Sequence, residues 1–463
     1  MGDATAKFVT GAPLRHVTVM SLTASIGLMA VFLVDFVDMV FISMLGEAEL
    51  AAAIGYAGSI LFFTTSFSIG MAIAVGALVA RSLGAEDSVA ARARSSHGLL
   101  FGVVFGVLFA LLVWLNIPLF VWMIGAEGET ALMAEGYLRL VVPSLPFLVV
   151  AMMGGGILRA YGDARRAMMS TIYGGAVNAI LDPILIFGFE LDLTGAALAS
   201  VAARITIAIA AILSILRHHG GLPRPDFAQI LSDIRPLLTI GVPAILTQLA
   251  TPLGQAIVTR SMAQYGLEAV AGMAIVGRLM PVSFAVLFAL SGAVGPIIGQ
   301  NYGAGNHTRV RQSFNAAILF AGVVVVGISV ILFVLRAPIA DLFDVTGTAR
   351  QLVYLFCGPL ALLFFFNGVL FVSNAAFNNL GHPFYSTWMN WGRNTVGMVP
   401  LVWLGSLAFG AQGVLIGQGL AGGAFGCLSW LLAWRVIAQG GQSTTKGKFD
   451  REGRLMSLLH LRK

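Results

Sequence analysis

Charge is what this chain of 463 residues has least of: Asp, Glu, Lys and Arg make up 10% of it, while 58% is hydrophobic. An average soluble domain is roughly 25% charged, so a water-exposed globular fold is excluded. The mean hydropathy of +0.90 agrees. Cysteine is nearly missing as well. Cys357 and Cys427 both lie in apolar segments, which leaves no disulfide framework and no thiolate cluster. The seven histidines are scattered without ligand spacing, so no metal site of that kind is expected. Neither an HExxH pattern nor a tight group of acids occurs, which removes the usual mark of a membrane-embedded enzyme and gives no reason to expect a cofactor. A net charge of +6 does not point to nucleic acid, because the basic residues sit between hydrophobic runs and in the tail. The first apolar run extends from about Val17 to Asp35, too long for a cleaved signal peptide.

What the chain has is long apolar runs. A membrane helix needs about 20 such residues. Breaks at Gly, Pro and charge give twelve candidate spans near 16–44, 52–80, 95–117, 131–158, 167–189, 195–216, 236–263, 270–300, 311–335, 348–379, 384–406 and 410–436. The stretch 351–392 carries no charged residue and is divided at the turn Asn379-Leu380-Gly381-His382-Pro383. The expected fold class is therefore an all-α polytopic membrane protein.

Basic residues fall in every second loop: Arg92 and Arg94, Arg165 and Arg166, Arg217 and Arg224, Arg309 and Arg311, with Lys7, Arg15 and a basic tail at the ends. The intervening loops hold Glu47 and Glu49, Glu127 and Glu129, and Glu190 and Asp192. Both termini are expected in the cytoplasm, with the chain multi-pass in the plasma (inner) membrane. RSLGAEDSVAARA (81–93) returns as QNYGAGNHTRVRQ (300–312), pairing Gly84 with Gly303 at an offset of 219. RAYGDARRAMM (159–169) returns as NNLGHPFYSTW (378–388), pairing Gly162 with Gly381 at the same offset. Six spans per copy is even, so both copies enter from one side and are related by an axis along the membrane normal. This divides the chain into a six-helix lobe (1–216), a connector (217–235), a second lobe (236–437) and a basic tail (438–463).

One carboxylate interrupts the apolar run between Arg166 and Glu190: Asp182, in VNAILDPILIFG (177–188). Burying an Asp at the centre of a membrane helix costs roughly 2.5–3.5 kcal/mol even on lenient scales. Asn178 lies one turn earlier on the same helix face, and Pro183 takes an N–H away from the carbonyl of Ala179. Carboxylate, amide and freed carbonyl together suit a small cation, either a proton or Na+.

FVDMVFISMLGEAELAA (36–52), LGAED (83–87), RAYGDARRAMM, and LDPILIFG followed by GAALAS (195–200) resemble the multidrug and toxic compound extrusion (MATE) family over roughly residues 14 to 437. The resemblance implies twelve helices in two lobes. It also implies efflux of organic, cationic drugs or metabolites in exchange for protons or sodium, with the cavity open to one side at a time. The family's first-helix acid falls on Asp38, its fifth-helix Asn and Asp on Asn178 and Asp182, its sixth-helix hydroxyl on Ser200 and its fourth-helix Tyr on Tyr137. Asp35 neighbours Asp38 at i and i+3 and joins the ion-coupling candidates. Thr251 stands where the NorM-type branch carries a Glu, so the chain looks more like the DinF-type branch, with coupling in the N-terminal lobe.

Phe62, Phe63, Met71, Gln248, Thr251, Phe365 and Asn367 are the candidates for the cavity wall, since aromatic, Met and amide surfaces accept many shapes. Arg204 and Arg393 lie within spans and each needs a carbonyl cluster, an acid or the cavity. The partners expected are small organic molecules and the bilayer, and the chain is expected to act as a monomer. A lipid-linked-saccharide flippase of related fold and a polytopic enzyme are the alternative readings.

Overall fold

The computed structural model describes residues 6–44, 48–224 and 227–440; for 35–36, 39–40, 42–44, 48–49, 51 and 227–228 it describes the backbone only. Asp35, Glu47, Glu49 and the tail beyond Gly440 therefore fall outside the described side chains. Every described element is a helix. The first lobe comprises α1 (Pro13–Met44), α2 (Ala48–Gly84), α3 (Ser88–Leu115), α4 (Gly128–Ala160), α5 (Ala164–Pro183) and α6 (Asp192–His218). The second comprises α7 (Phe227–Ala263), α8 (Leu267–Gly303), α9 (His307–Leu342), α10 (Gly347–Asn379), and α11 and α12, which share the run Pro383–Ala438.

Two spans need a physical reading. The halves of α8, Leu267–Ser283 and Ala285–Gly303, meet at a 48° bend. The run Pro383–Ala438 has 56 residues, which as one helix would reach about 84 Å against a hydrocarbon core of about 30 Å. It folds back at Phe409 and Gly410, where Gly410 takes φ +58°. Gly405 and Gly413 then press backbone to backbone, so that a Cβ on either strikes the other's carbonyl oxygen. With this hairpin divided, the described residues make twelve spans in two lobes of six. The connector is shorter than its polarity suggests: α7 begins at Phe227, because Phe227, Ile230, Leu231 and Ile234 have helical spacing. Asp233 on that turn sits 2.7 Å from His97 Nδ1 and 3.8 Å from Arg94 on α3.

The pseudo-twofold is visible in individual contacts at the basic-loop end. Gly84 packs on the backbone of Gln300, and Gly303 packs on the backbone of Arg81. Arg81 Nε donates to the carbonyl of Asn379 at 2.9 Å, and Gln300 Nε2 donates to the carbonyl of Ala160 at 2.8 Å. The pairs 81/300, 84/303 and 160/379 all differ by 219. The N-caps repeat too, Asp87 accepting from Ala90 N and Asn306 from Arg309 N. The N-terminal segment adds to the seal: Phe8 N donates to Gln300 Oε1, and the Phe8 carbonyl accepts from Asn301 and Arg309.

Candidate functional site

Two carboxyls meet in the N-terminal lobe, that of Asp182 buried and that of Asp38 half-buried. Asp182 on α5 is fully buried, and its Oδ2 accepts a 2.7 Å hydrogen bond from Asn178 Nδ2 one turn earlier. After Pro183 the chain widens into a π-helical turn, Ile184–Gly188, which is how the missing N–H is accommodated. Asp38 comes from α1 and touches Asp182 carboxyl to carboxyl. One oxygen of each, Oδ1, is buried with no donor among the described residues. Tyr137 on α4 lies close to Ser200 on α6 and within electrostatic reach of both acids and of Arg204. Two carboxylates in contact repel unless a proton or a cation lies between them. The orphaned oxygens, the amide and the phenol suit either one.

Arg204 serves a different end. Its guanidinium donates to Ser144 Oγ at 2.9 Å and to the carbonyl of Val141 at 3.3 Å, tying α6 to the break in α4 around Pro143. Asp38, Asn178, Asp182, Tyr137 and Ser200 thus share one site. At the repeat offset they fall on Ile257, Gly397, Leu401, Phe356 and Gly419, so the second lobe holds no copy of it.

A cavity of about 700 Å³ lies between the lobes, directly beyond the seal. Phe62, Gln248, Thr251 and Asn367 line it. Phe63, Met71 and Phe365 do not. Phe63 follows Phe62 and so points about 100° round the helix, 48% exposed on the outside. Met71 is buried and packs between α2 and Gly241 of α7. Phe365 turns towards Gly322 of α9, while its neighbour Phe364 faces the cavity and stacks on Phe284 at 4.2 Å.

Among the described lining residues there is no Asp or Glu, and neither Asp38 nor Asp182 is on the wall. The fixed charges there are Arg159 on α4 and Arg393 on α11. Arg393 donates to Asn367 Oδ1. Arg159 escaped the reading of the sequence because it lies two residues before Tyr161-Gly162 and passes for a loop charge. The signal for it was the run Gly154-Gly155-Gly156 one turn earlier, which leaves room for a side chain directed into the protein.

The MatE family model matches residues 24–184 and again 243–404. The two matches begin 219 positions apart, the spacing of the internal repeat. The FAD transporter of Shewanella oneidensis is 28% identical over 433 residues, covering 92% of this chain and 95% of that protein. The multidrug export protein MepA of Staphylococcus aureus is 25% identical over 403 residues, covering 85% of this chain and 88% of that protein. Among solved structures, a MATE-family transporter of the MOP superfamily in its outward-facing conformation superposes with a TM-score of 0.89 at 22% identity, over 95% of this chain and 100% of that one. Matched once in each six-helix lobe, the chain belongs to the MatE family of multi-pass membrane transporters.

Proposed function

We propose that this chain is a secondary antiporter that moves a small organic molecule out of the cell by alternating access, with a proton or Na+ as the driving ion. The observation that carries this reading is the Asp38–Asp182 contact, in which each carboxyl keeps a buried oxygen without a donor among the described residues. Asn178, Tyr137 and Ser200 complete the ion site. The relatives' names support transport of small organic molecules, one being a FAD transporter, and the name of another, a multidrug export protein, supports export. Helix α1 links ion to cargo, since it contributes Asp38 to the carboxyl pair and Leu28, Val31 and Phe32 to the cavity wall. Protonation or Na+ binding relieves the repulsion between the two carboxylates, and the resulting shift of α1 changes the cavity. With the basic loops inside, the reciprocal contacts form the cytoplasmic gate. No other chain is needed to complete either site.

The cationic cargo expected from the resemblance finds no counter-charge among the described residues of the wall. Nor does protonation of Asp38 and Asp182 act on such a cargo through direct contact, because the pair is set back from the wall.

Transport in proteoliposomes tests the coupling. Asp182→Asn is expected to abolish gradient-driven accumulation, a loss of at least about tenfold, while the purified protein still binds cargo at equilibrium. Imposing a proton gradient and a sodium gradient separately identifies the ion. Accumulation that persists in the Asp38→Asn/Asp182→Asn variant refutes the assignment.

A further inference from the structure

We infer that the cavity is built for an organic anion, whose acid group is received by Arg159 and Arg393. The inference rests on the reading of this cavity as the cargo site and adds the charge of the cargo. Both arginines line the one cavity, from opposite lobes, and neither forms an ion pair among the described residues.

The other arginines near the membrane interior show what a structural guanidinium looks like in this protein. Arg204 has a hydroxyl and a carbonyl, and Arg81 has the carbonyls of Asn378 and Asn379, each at 2.9 Å. Among the described residues Arg393 has only the side-chain oxygen of Asn367, and its Nε is buried without an acceptor. For Arg159 no acceptor is found among the described residues. A guanidinium carries five N–H donors and does not lose its charge. Both arginines are half-buried, so their free N–H donors face the cavity, where an unpaired charge is expensive.

Its placement is not forced by the chain. Arg159 is the penultimate residue of α4, within one turn of the basic-loop end, where snorkelling to water is the ordinary outcome. Instead the side chain runs back along its helix towards the cavity. Its Nη1 lies 3.3 Å from the point a Cβ on Gly155 would occupy, and its Nε 3.6 Å from the corresponding point on Gly292 of α8. Side chains at those two positions would crowd the guanidinium out of this place.

The rest of the wall fits the same class. Gln248, Gln255 and Asn394 offer amide donors, and Phe288, Phe364 and Phe371 offer faces for a flat ring system. Carboxylate and phosphate oxygens both match the guanidinium fork, so the shared chemistry is an aromatic or apolar body bearing an anionic oxygen group. A cationic cargo would meet two positive charges in a site of low dielectric.

The test uses the full-length protein in nanodiscs and two fluorescent probes of similar aromatic frame and opposite charge, fluorescein and rhodamine 6G, with polarisation as the readout and no gradient present. Fluorescein is expected to bind more tightly than rhodamine 6G. Arg159→Gln and Arg393→Gln should each weaken fluorescein by roughly ten- to a hundredfold, the range for a lost charge-assisted hydrogen bond, and leave rhodamine 6G unchanged or tighter. Thermal unfolding of each variant checks the fold, and Arg159→Lys, which keeps the charge, should retain part of the affinity. Preference for the cation, or fluorescein binding that neither substitution alters, overturns the inference and leaves the antiport reading standing. Cation binding that disappears in Asp35→Asn would place a counter-charge on the wall and overturn it as well. Binding of neither probe, with Ser291→Cys (in a background where Cys357 and Cys427 are replaced by Ser) still labelled from solution, overturns the cargo-site reading itself.

Discussion

Polar side chains in this protein are legible by what answers them. Asp163 is answered fully. It caps α5 by accepting from Arg166 N at 3.2 Å, takes Arg166 Nη1 at 2.6 Å and lies 2.9 Å from His219 Nε2. His219 in turn stacks on Tyr161 at 4.7 Å. Burial works against the ionised form, but the hydrogen bonds from His219 and Arg166 and the Arg166 charge outweigh it and hold the Asp163 carboxyl well below the ordinary value of 3.8. A carboxyl depressed in the folded state contributes stability that is complete above its unfolded value and is lost as pH falls through its folded value. Asp163→Asn is therefore expected to lower unfolding stability by about 1–3 kcal/mol between pH 5 and 8, and the gap from the parent should narrow below about pH 4. Thermal denaturation in detergent across that range measures it; a gap that widens in acid would reverse the sign and refute the argument. Asp182, Asp38 and Arg393 are the opposite kind, each with a buried polar atom that has no partner among the described residues, and Arg159 faces the cavity without an ion pair among them. Asp182 was legible in the sequence because it stands alone in an apolar run, and Asn178 because helical spacing puts it one turn away. The contact of Asp38 with Asp182 was not, since no local pattern says which helices adjoin; only the resemblance joined them. Phe63, Met71 and Phe365 show the same limit, because the side of a helix that meets the cavity depends on where its neighbours pack.

Among the elements, hydropathy located the spans well because each is a long apolar run between loops. Charge breaks help little from Pro383 to Ala438, where Arg393 and Arg435 are the only charged residues. The division into 384–406 and 410–436 nonetheless falls where the structure turns, at Phe409 and Gly410, the residues of that run out of helical conformation. Gly405, Gly413 and Gly417 make that hairpin closable, Gly417 lying on the backbone of Leu401. Small residues that let membrane helices approach at backbone distance are the usual means of packing without a hydrophobic driving force. Gly413→Leu puts four carbons where the carbonyl of Gly405 lies, well beyond the roughly 1–3 kcal/mol of ordinary overpacking. The expected outcome is loss of the monodisperse peak in size-exclusion chromatography. Gly327→Ala on α9, where an added Cβ meets nothing within 4 Å, should leave the peak unchanged.

At the scale of the whole molecule, the seal between the lobes is what the transport cycle must break. Arg81 holds two main-chain carbonyls and Gln300 one, and Gln300 also accepts from Phe8 N. Removing these bonds by Arg81→Ala/Gln300→Ala is expected to shift the balance towards opening at the basic-loop end by at least about a hundredfold, given about 0.5–1.5 kcal/mol for a typical hydrogen bond and more for a charged one. A cysteine introduced as Ser291→Cys on the cavity wall, with Cys357 and Cys427 replaced by Ser, reports this through faster labelling by a membrane-impermeant reagent from that side. Unchanged labelling would show that the seal is held by other contacts. The repeat itself was legible from one offset kept over two loops; that the two copies touch along those loops was not, because sequence spacing says nothing about which surfaces face each other.

The reciprocity of that seal bears on how such a chain can arise. Gly84 meets Gln300 as Gly303 meets Arg81, and Arg81 reaches Asn379 as Gln300 reaches Ala160. A patch that fits its own counterpart across a twofold is one that an unfused half presents to a second copy of itself. The closing surface therefore asks for nothing that one six-helix unit lacks, and it is available before any duplication is joined into a single gene. The carboxyl pair and the two arginines are different in kind: each is present in one half only, with no counterpart at the repeat offset. In historical terms, closure is the inheritance common to both halves, and the choice of ion and of cargo is what their later divergence added.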